Sequence, residues 1–116
     1  MQHIAFTYNN ISDLLEAYSQ RKLHQIEPVW CVNHGPTISL YYRDPDGNLL
    51  ETQVDTFRTL EEAAVFVSSA EFIENPVGVD FDPEDLIKRL HGGESPESLH
   101  RRPNIGPRGF ETSPLE

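Results

Sequence analysis

At 116 residues, with 24% charged and 37% hydrophobic side chains, the chain has the size and composition of one compact domain. Nineteen acidic against nine basic residues leave a net charge of −10, which argues against nucleic acid or an anionic membrane as a partner, because phosphate binding needs a basic face. No apolar run approaches membrane-spanning length, MQHIAFTY lacks a secretory-signal pattern, and the lone Cys31 excludes an internal disulfide; a reducing, cytoplasmic setting is the expectation.

Residues 3–8 alternate as a strand, with Ile4, Phe6 and Tyr8 on one face and His3, Ala5 and Thr7 on the other. Asn10, with Asp13 three positions on, caps a helix that runs to about Leu23 and carries Ile11, Leu14, Leu15 and Tyr18 at helical spacing. The stretch EPVWCVN (Glu27–Asn33) reads as a second strand, with Pro28 near its start where a missing donor is tolerated. Trp30 and Cys31 alternate there, one on each face. NHGP (Asn33–Pro36) is a turn.

The next stretch, SLYYRDPDGNLLETQVD (Ser39–Asp55), is a hairpin whose turn sets its register. Pro45 supplies the fixed φ of a type I turn and Gly47 the left-handed position, so Pro45–Gly47 forms a three-residue loop closed by Asp44 opposite Asn48. Counting back pairs Tyr42 with Leu50, Leu40 with Thr52 and Ile38 with Val54, an apolar face. The other face sets Tyr41 opposite Glu51. A slip of one residue would mix the two sets.

After Phe57 the character changes. Thr59 and Glu62 form a capping box opening a short helix to about Ser68. Asp82-Pro83 starts another helix that Gly92 closes, and Ser95-Pro96 begins a third short turn. From Pro103 the tail PNIGPRGFETSPLE has three Pro and two Gly in fourteen residues, the composition of an extended or mobile segment. His24, His91 and His100 read as solvated residues, and the acidic helices as solvated faces wrapping the sheet. No phosphate-binding Gly-rich loop, Cys-x-x-Cys pair or Ser nucleophile elbow is present.

A strand–helix–strand–strand–strand order, with HIAF in the first strand and YYRDPDGNLLE in the last hairpin, resembles one βαβββ module of the vicinal oxygen chelate superfamily. That group holds the glyoxalases, the bleomycin and fosfomycin resistance proteins and the extradiol catechol dioxygenases. The resemblance is nearest to the C-terminal module of catechol 2,3-dioxygenase-like proteins. It implies an α+β fold: a module over residues 1–57, half of a paired cup, then a helical extension over 58–102 and a tail over 103–116. Ile4, Phe6, Ile38, Leu40, Tyr42 and Val54 would pack on the helix, and His3, Tyr41 and Glu51 would point into the cup.

The resemblance also implies roles. His3 and Glu51 correspond to two ligands of a 2-His-1-carboxylate triad, whose open positions on Fe(II) admit a diol and dioxygen. Tyr41, ten residues before Glu51, corresponds to a substrate-contacting tyrosine, and His34 to an acid–base histidine, although it stands nearer Tyr41 than in typical members. The other ligating histidine belongs to a preceding module, so a homodimer or pairing with a missing N-terminal module is expected. The function implied is extradiol cleavage of a small aromatic diol of the catechol or biphenyl-diol class by dioxygen, or a module of such an enzyme. The alternatives are a glyoxalase- or resistance-type metalloprotein using Mn, Zn or Ni, and a shortened module without catalysis.

Overall fold

A computed structural model describes residues 3–115; the expected module start at Met1 and the tail's end at Glu116 lie outside them. Strand β1 (His3–Tyr8) leads into α1 (Ile11–Leu23), followed by β2 (Trp30–Asn33), β3 (Thr37–Arg43) and β4 (Leu49–Asp55). Next come α2 (Leu60–Val67), α3 (Ala70–Glu74), a two-residue strand β5 (Val79–Asp80), α4 (Pro83–His91), α5 (Pro96–His100) and a 3₁₀ turn at Phe110–Thr112. The fold is α+β, with a five-stranded mixed sheet in the order β1-β4-β3-β2-β5. Strand β1 lies parallel to β4; the other pairs are antiparallel.

The hairpin has the register its turn dictates: Tyr41 opposite Glu51, Tyr42 opposite Leu50, Leu40 opposite Thr52 and Ile38 opposite Val54. The Asp44 N–H donates to the Asn48 carbonyl at 2.9 Å, and Gly47 has φ +83°, a conformation a side chain would strain. Helix α1 begins where Asn10 accepts the Asp13 N–H at 2.8 Å.

Alternation along these strands divides the sheet into two faces. On one, Ile38, Leu40, Tyr42 and Val54 pack with Ile11, Leu14, Leu15 and Tyr18 of α1. Leu86 of α4 and Leu99 of α5 enter the same core, so the C-terminal helices share the interior of the first half. Cys31 packs against this core, and its thiol is pushed up to about 12, chiefly by burial. It stays a neutral thiol. On the other face Trp30, Val32, Tyr41, Leu49 and Val77 form a second, smaller cluster, with Leu115 against it.

Three features differ from expectation. Ile4 and Phe6 do not pack under α1: they are 43% and 55% exposed, because β1 is the outermost strand and α1 centres over its neighbours. Short elements α3 and β5 follow no periodic pattern long enough to read; β5 forms because Gly78, at φ +126°, brings the chain against the Asn33 carbonyl, leaving no room for a Cβ. The tail is tied down as well. Arg108 donates to the Gly78 carbonyl at 3.0 Å and to Asp80 at 2.9 Å.

Leu40 is fully buried at the centre of the main core, whereas Leu60 is 90% exposed. Leu40→Ala is expected to cost roughly 2–5 kcal/mol in urea unfolding, and Leu60→Ala less than about 0.5 kcal/mol. Equal losses would contradict the placement of the core.

Candidate active site

Glu51 sits mid-strand on the face away from α1 and is only 6% exposed. Parallel pairing of β1 with β4 sets Ala5 beside Glu51, and His3, two residues earlier on the same face, reaches across. Its Nε2 lies 2.9 Å from Glu51 Oε1. A carboxylate only accepts, so the imidazole donates here. The His3 side chain is half exposed, so this end of the face opens to solvent beyond β1.

Across the ladder from Glu51, Tyr41 is buried and its ring stacks on Trp30 at 5.3 Å with an interplanar angle of 21°. Its hydroxyl lies 2.8 Å from His34 Nε2. Burial, reinforced by the nearby Glu51 charge, pushes the Tyr41 pKa well above the ordinary phenol value. Tyr41 therefore remains a proton donor throughout the neutral range.

His34 follows β2 directly, and its Nδ1 is 2.6 Å from the Val77 carbonyl oxygen. That oxygen can only accept, which places the ring proton on Nδ1 and leaves Nε2 as the acceptor facing Tyr41. The indole of Trp30 meets the imidazole edge-on at 5.7 Å. Trp30 is itself fixed by donating from Nε1 to Asp80 at 2.8 Å.

The four residues singled out from sequence thus share one face. His3 and Glu51 touch, His34 and Tyr41 touch, and the His3 and Tyr41 rings are 6.0 Å apart. A cavity of about 520 Å³ lined by Phe6, Arg21, Tyr42 and Leu50 lies on the helix side of the sheet, outside this group. Sequence reasoning missed Val77, which fixes the His34 ring, and the Asn75 turn that presents it. The stretch NPVG (Asn75–Gly78) is legible as a turn, but nothing in its spacing tells which side chain it faces. His24 and His91 are exposed, as expected. His100 is not: it is half-buried, its carbonyl accepts from Asn33 Nδ2 at 3.0 Å, and burial lowers its pKa, because α5 packs back onto the end of β2.

The donor set bears on metal binding. Two donors at about 2.1 Å from one ion and roughly 90° apart stand about 3.0 Å from each other, and the His3–Glu51 approach is 2.9 Å. An imidazole and a carboxylate suit a divalent first-row ion. Among the described residues, no group of three His, Cys, Asp or Glu side chains could hold one. The pair fits as part of a site and needs another donor.

Two curated proteins of Rhodococcus globerulus are similar in sequence. The chain is 45% identical to biphenyl-2,3-diol 1,2-dioxygenase 2 over 93 residues, covering 80% of this chain and 49% of that protein. It is 42% identical to biphenyl-2,3-diol 1,2-dioxygenase 3 over 102 residues, covering 88% of this chain and 54% of that protein. The chain thus spans about half the length of the curated relatives it matches. No family model and no solved structure matches it. Among the described residues no helix is long and apolar enough to cross a membrane.

Burial holds His34 below the ordinary imidazole range, against the opposing Val77 hydrogen bond and Glu51 charge. Between that lowered value and the reference of about 6.5, the unfolded chain binds a proton that the folded chain does not. The stability His34 contributes is therefore full above about pH 6.5 and is lost as pH falls through its folded pKa. His100 acts in the same direction. The urea midpoint should drop between about pH 7.5 and about pH 5.5, and drop less in His34→Gln. An identical pH profile for both proteins would refute the assignment.

Proposed function

We propose that this chain is one module of an extradiol-type ring-cleaving dioxygenase for an aromatic diol of the catechol or biphenyl-diol class, akin to the C-terminal module of catechol 2,3-dioxygenase-like proteins. The observation that carries it is the 2.9 Å approach of His3 to Glu51 on the face that also bears the His34–Tyr41 pair. The similarity to two proteins named as biphenyl-2,3-diol 1,2-dioxygenases supports it.

In this reading His3 and Glu51 hold Fe(II), ahead of Mn, Zn or Ni, together with a histidine from another module or a second copy. Bound there, iron supplies a Lewis acid and a redox couple through which a diol and dioxygen can react. Everything else falls to this chain's side chains. His34 Nε2, unprotonated in the neutral ring and released when Tyr41 turns to the substrate, takes a proton from a diol hydroxyl and returns it later. Tyr41, kept protonated by burial, gives its hydrogen bond to a substrate oxygen once that oxygen replaces His34 as acceptor. The stacked Tyr41–Trp30 rings and Leu49 wall an aromatic substrate and keep water from that side.

The same strand that carries His3 is the outermost of the sheet and leaves Ile4 and Phe6 exposed. An open strand edge with apolar side chains favours association with another module or copy.

The test is anaerobic Fe(II) titration and oxygen uptake with biphenyl-2,3-diol. The chain is assayed alone and combined with the part of a Rhodococcus relative outside the matched stretch. Metal should be retained in the combination, and Glu51→Gln should weaken it by at least about 100-fold. His24→Gln should bind as wild type. In the combination His34→Gln should keep its iron and lose about 10²- to 10⁴-fold in kcat. Equal iron binding by wild type and Glu51→Gln in the combination would end this reading.

A further inference from the structure

The geometry points to Arg102 as the positioning residue that fixes the ring of His34 in its Nδ1-protonated form, leaving Nε2 unprotonated as the acceptor. Arg102 lies in the C-terminal extension and is buried, with its side chain only 3% exposed. Asn33, next to His34, brings it there by holding the His100 carbonyl two residues away. Its guanidinium then acts as a fork. Nη1 donates to the main-chain carbonyl of His34 at 2.7 Å, and Nη2 to the carbonyl of Asn75 at 2.6 Å.

The two carbonyls belong to the two sides of one hydrogen bond. Asn75 Oδ1 accepts the N–H groups of Val77 at 3.2 Å and Gly78 at 2.9 Å, and Asn75 Nδ2 donates to Gly78 O at 3.0 Å. This closed turn aims the Val77 carbonyl at His34 Nδ1. Arg102 thus ties the backbone of the histidine to the backbone of the turn that reads its ring. A lysine would not serve, since a point charge on a flexible stem cannot bridge two fixed carbonyls in one plane. The guanidinium carbon also lies 5.2 Å from the Phe66 ring centroid and 5.9 Å from that of Phe72, which confines the fork further. The Glu71 carboxylate stands 3.8 Å from Nε.

The inference rests on the reading of His34 as a proton acceptor, but its test does not. Two-bond ¹H–¹⁵N spectra of the histidine rings at about pH 7.5 report the tautomer directly, with His34 assigned by its loss in His34→Gln. Wild type should show one form, Nδ1–H. Arg102→Lys should lower the ratio of the Nδ1–H to the Nε2–H form about fivefold, the weight of one ordinary hydrogen bond. Leu14→Ala, which destabilises the opposite face, should leave the ratio unchanged. Should Arg102→Lys fail to fold, Phe72→Leu keeps the guanidinium but removes one ring beneath it, and should lower the ratio about twofold. A wild-type Nε2–H tautomer overturns the inference, as does an unchanged ratio in the folded clamp variant. Neither metal nor substrate is needed. A chain that binds no iron even in the combination yet shows the shift keeps the clamp and loses the dioxygenase reading, and the reverse result does the opposite.

Discussion

One carboxylate sets the frame on which the rest depends. Asp44 Oδ1 accepts the N–H groups of Asp46 at 2.9 Å and Asn48 at 2.8 Å, and Oδ2 accepts Asn48 Nδ2 at 3.1 Å. These bonds, the Asn48 side chain's foremost, hold the Asp44 pKa below the usual carboxylate range. They fix a loop in which only Gly47 adopts a left-handed φ, and hence one pairing of β3 with β4. Shift that pairing by one residue and Glu51 would face Leu14 and Leu15 while Leu50 took its place beside Tyr41. The cost of burying a carboxylate in that apolar core makes the alternative register untenable.

From this frame the site is assembled by two different kinds of pairing. Glu51 meets Tyr41 through the antiparallel ladder and His3 through the parallel one, both backbone events within the first half of the chain. His34 depends instead on groups from the second half: the Val77 main-chain carbonyl and the side chains of Asn75 and Arg102 that place it. The helical extension therefore does more than cover the sheet. Its loss would strip Leu86 and Leu99 from the core and leave His34 Nδ1 without the Val77 carbonyl it donates to.

The difference explains what could be read from sequence. The turn residues Asp44 to Gly47 carry explicit conformational chemistry, so the hairpin register and the common face of His3, Tyr41 and Glu51 followed by counting. Helix starts at Asn10, Thr59 and Asp82 were legible for the same reason: each has a side chain that accepts an early N–H group. Strand β5 was not legible, because two residues have no period and exist only as a docking of Gly78 on Asn33. Arg102 has no sequence signal beyond its charge; its burial follows from where Asn33 and the Phe66 and Phe72 rings lie in space. The exposure of Ile4 and Phe6 was misjudged because alternation tells which face a side chain joins, not whether a helix reaches far enough to cover it.

That misjudged strand also links the incomplete donor pair to the uncovered surface. His3 supplies one half of the His3–Glu51 contact, and its strand, β1, lies at one edge of the sheet, with a neighbouring strand on one side only among the described residues. Neighbouring strands stand about 4.8 Å apart, with side chains on a shared face in contact range. Any strand that covered this edge would bury Ile4 or Phe6 against its own apolar residues on one face and set its own side chains beside His3 on the other. The burial that would drive such an association and the additional donor that a metal requires thus fall on the same strand. In that geometry metal affinity and assembly would be one linked equilibrium, because an ion held across the edge would stabilise the paired form by its binding energy.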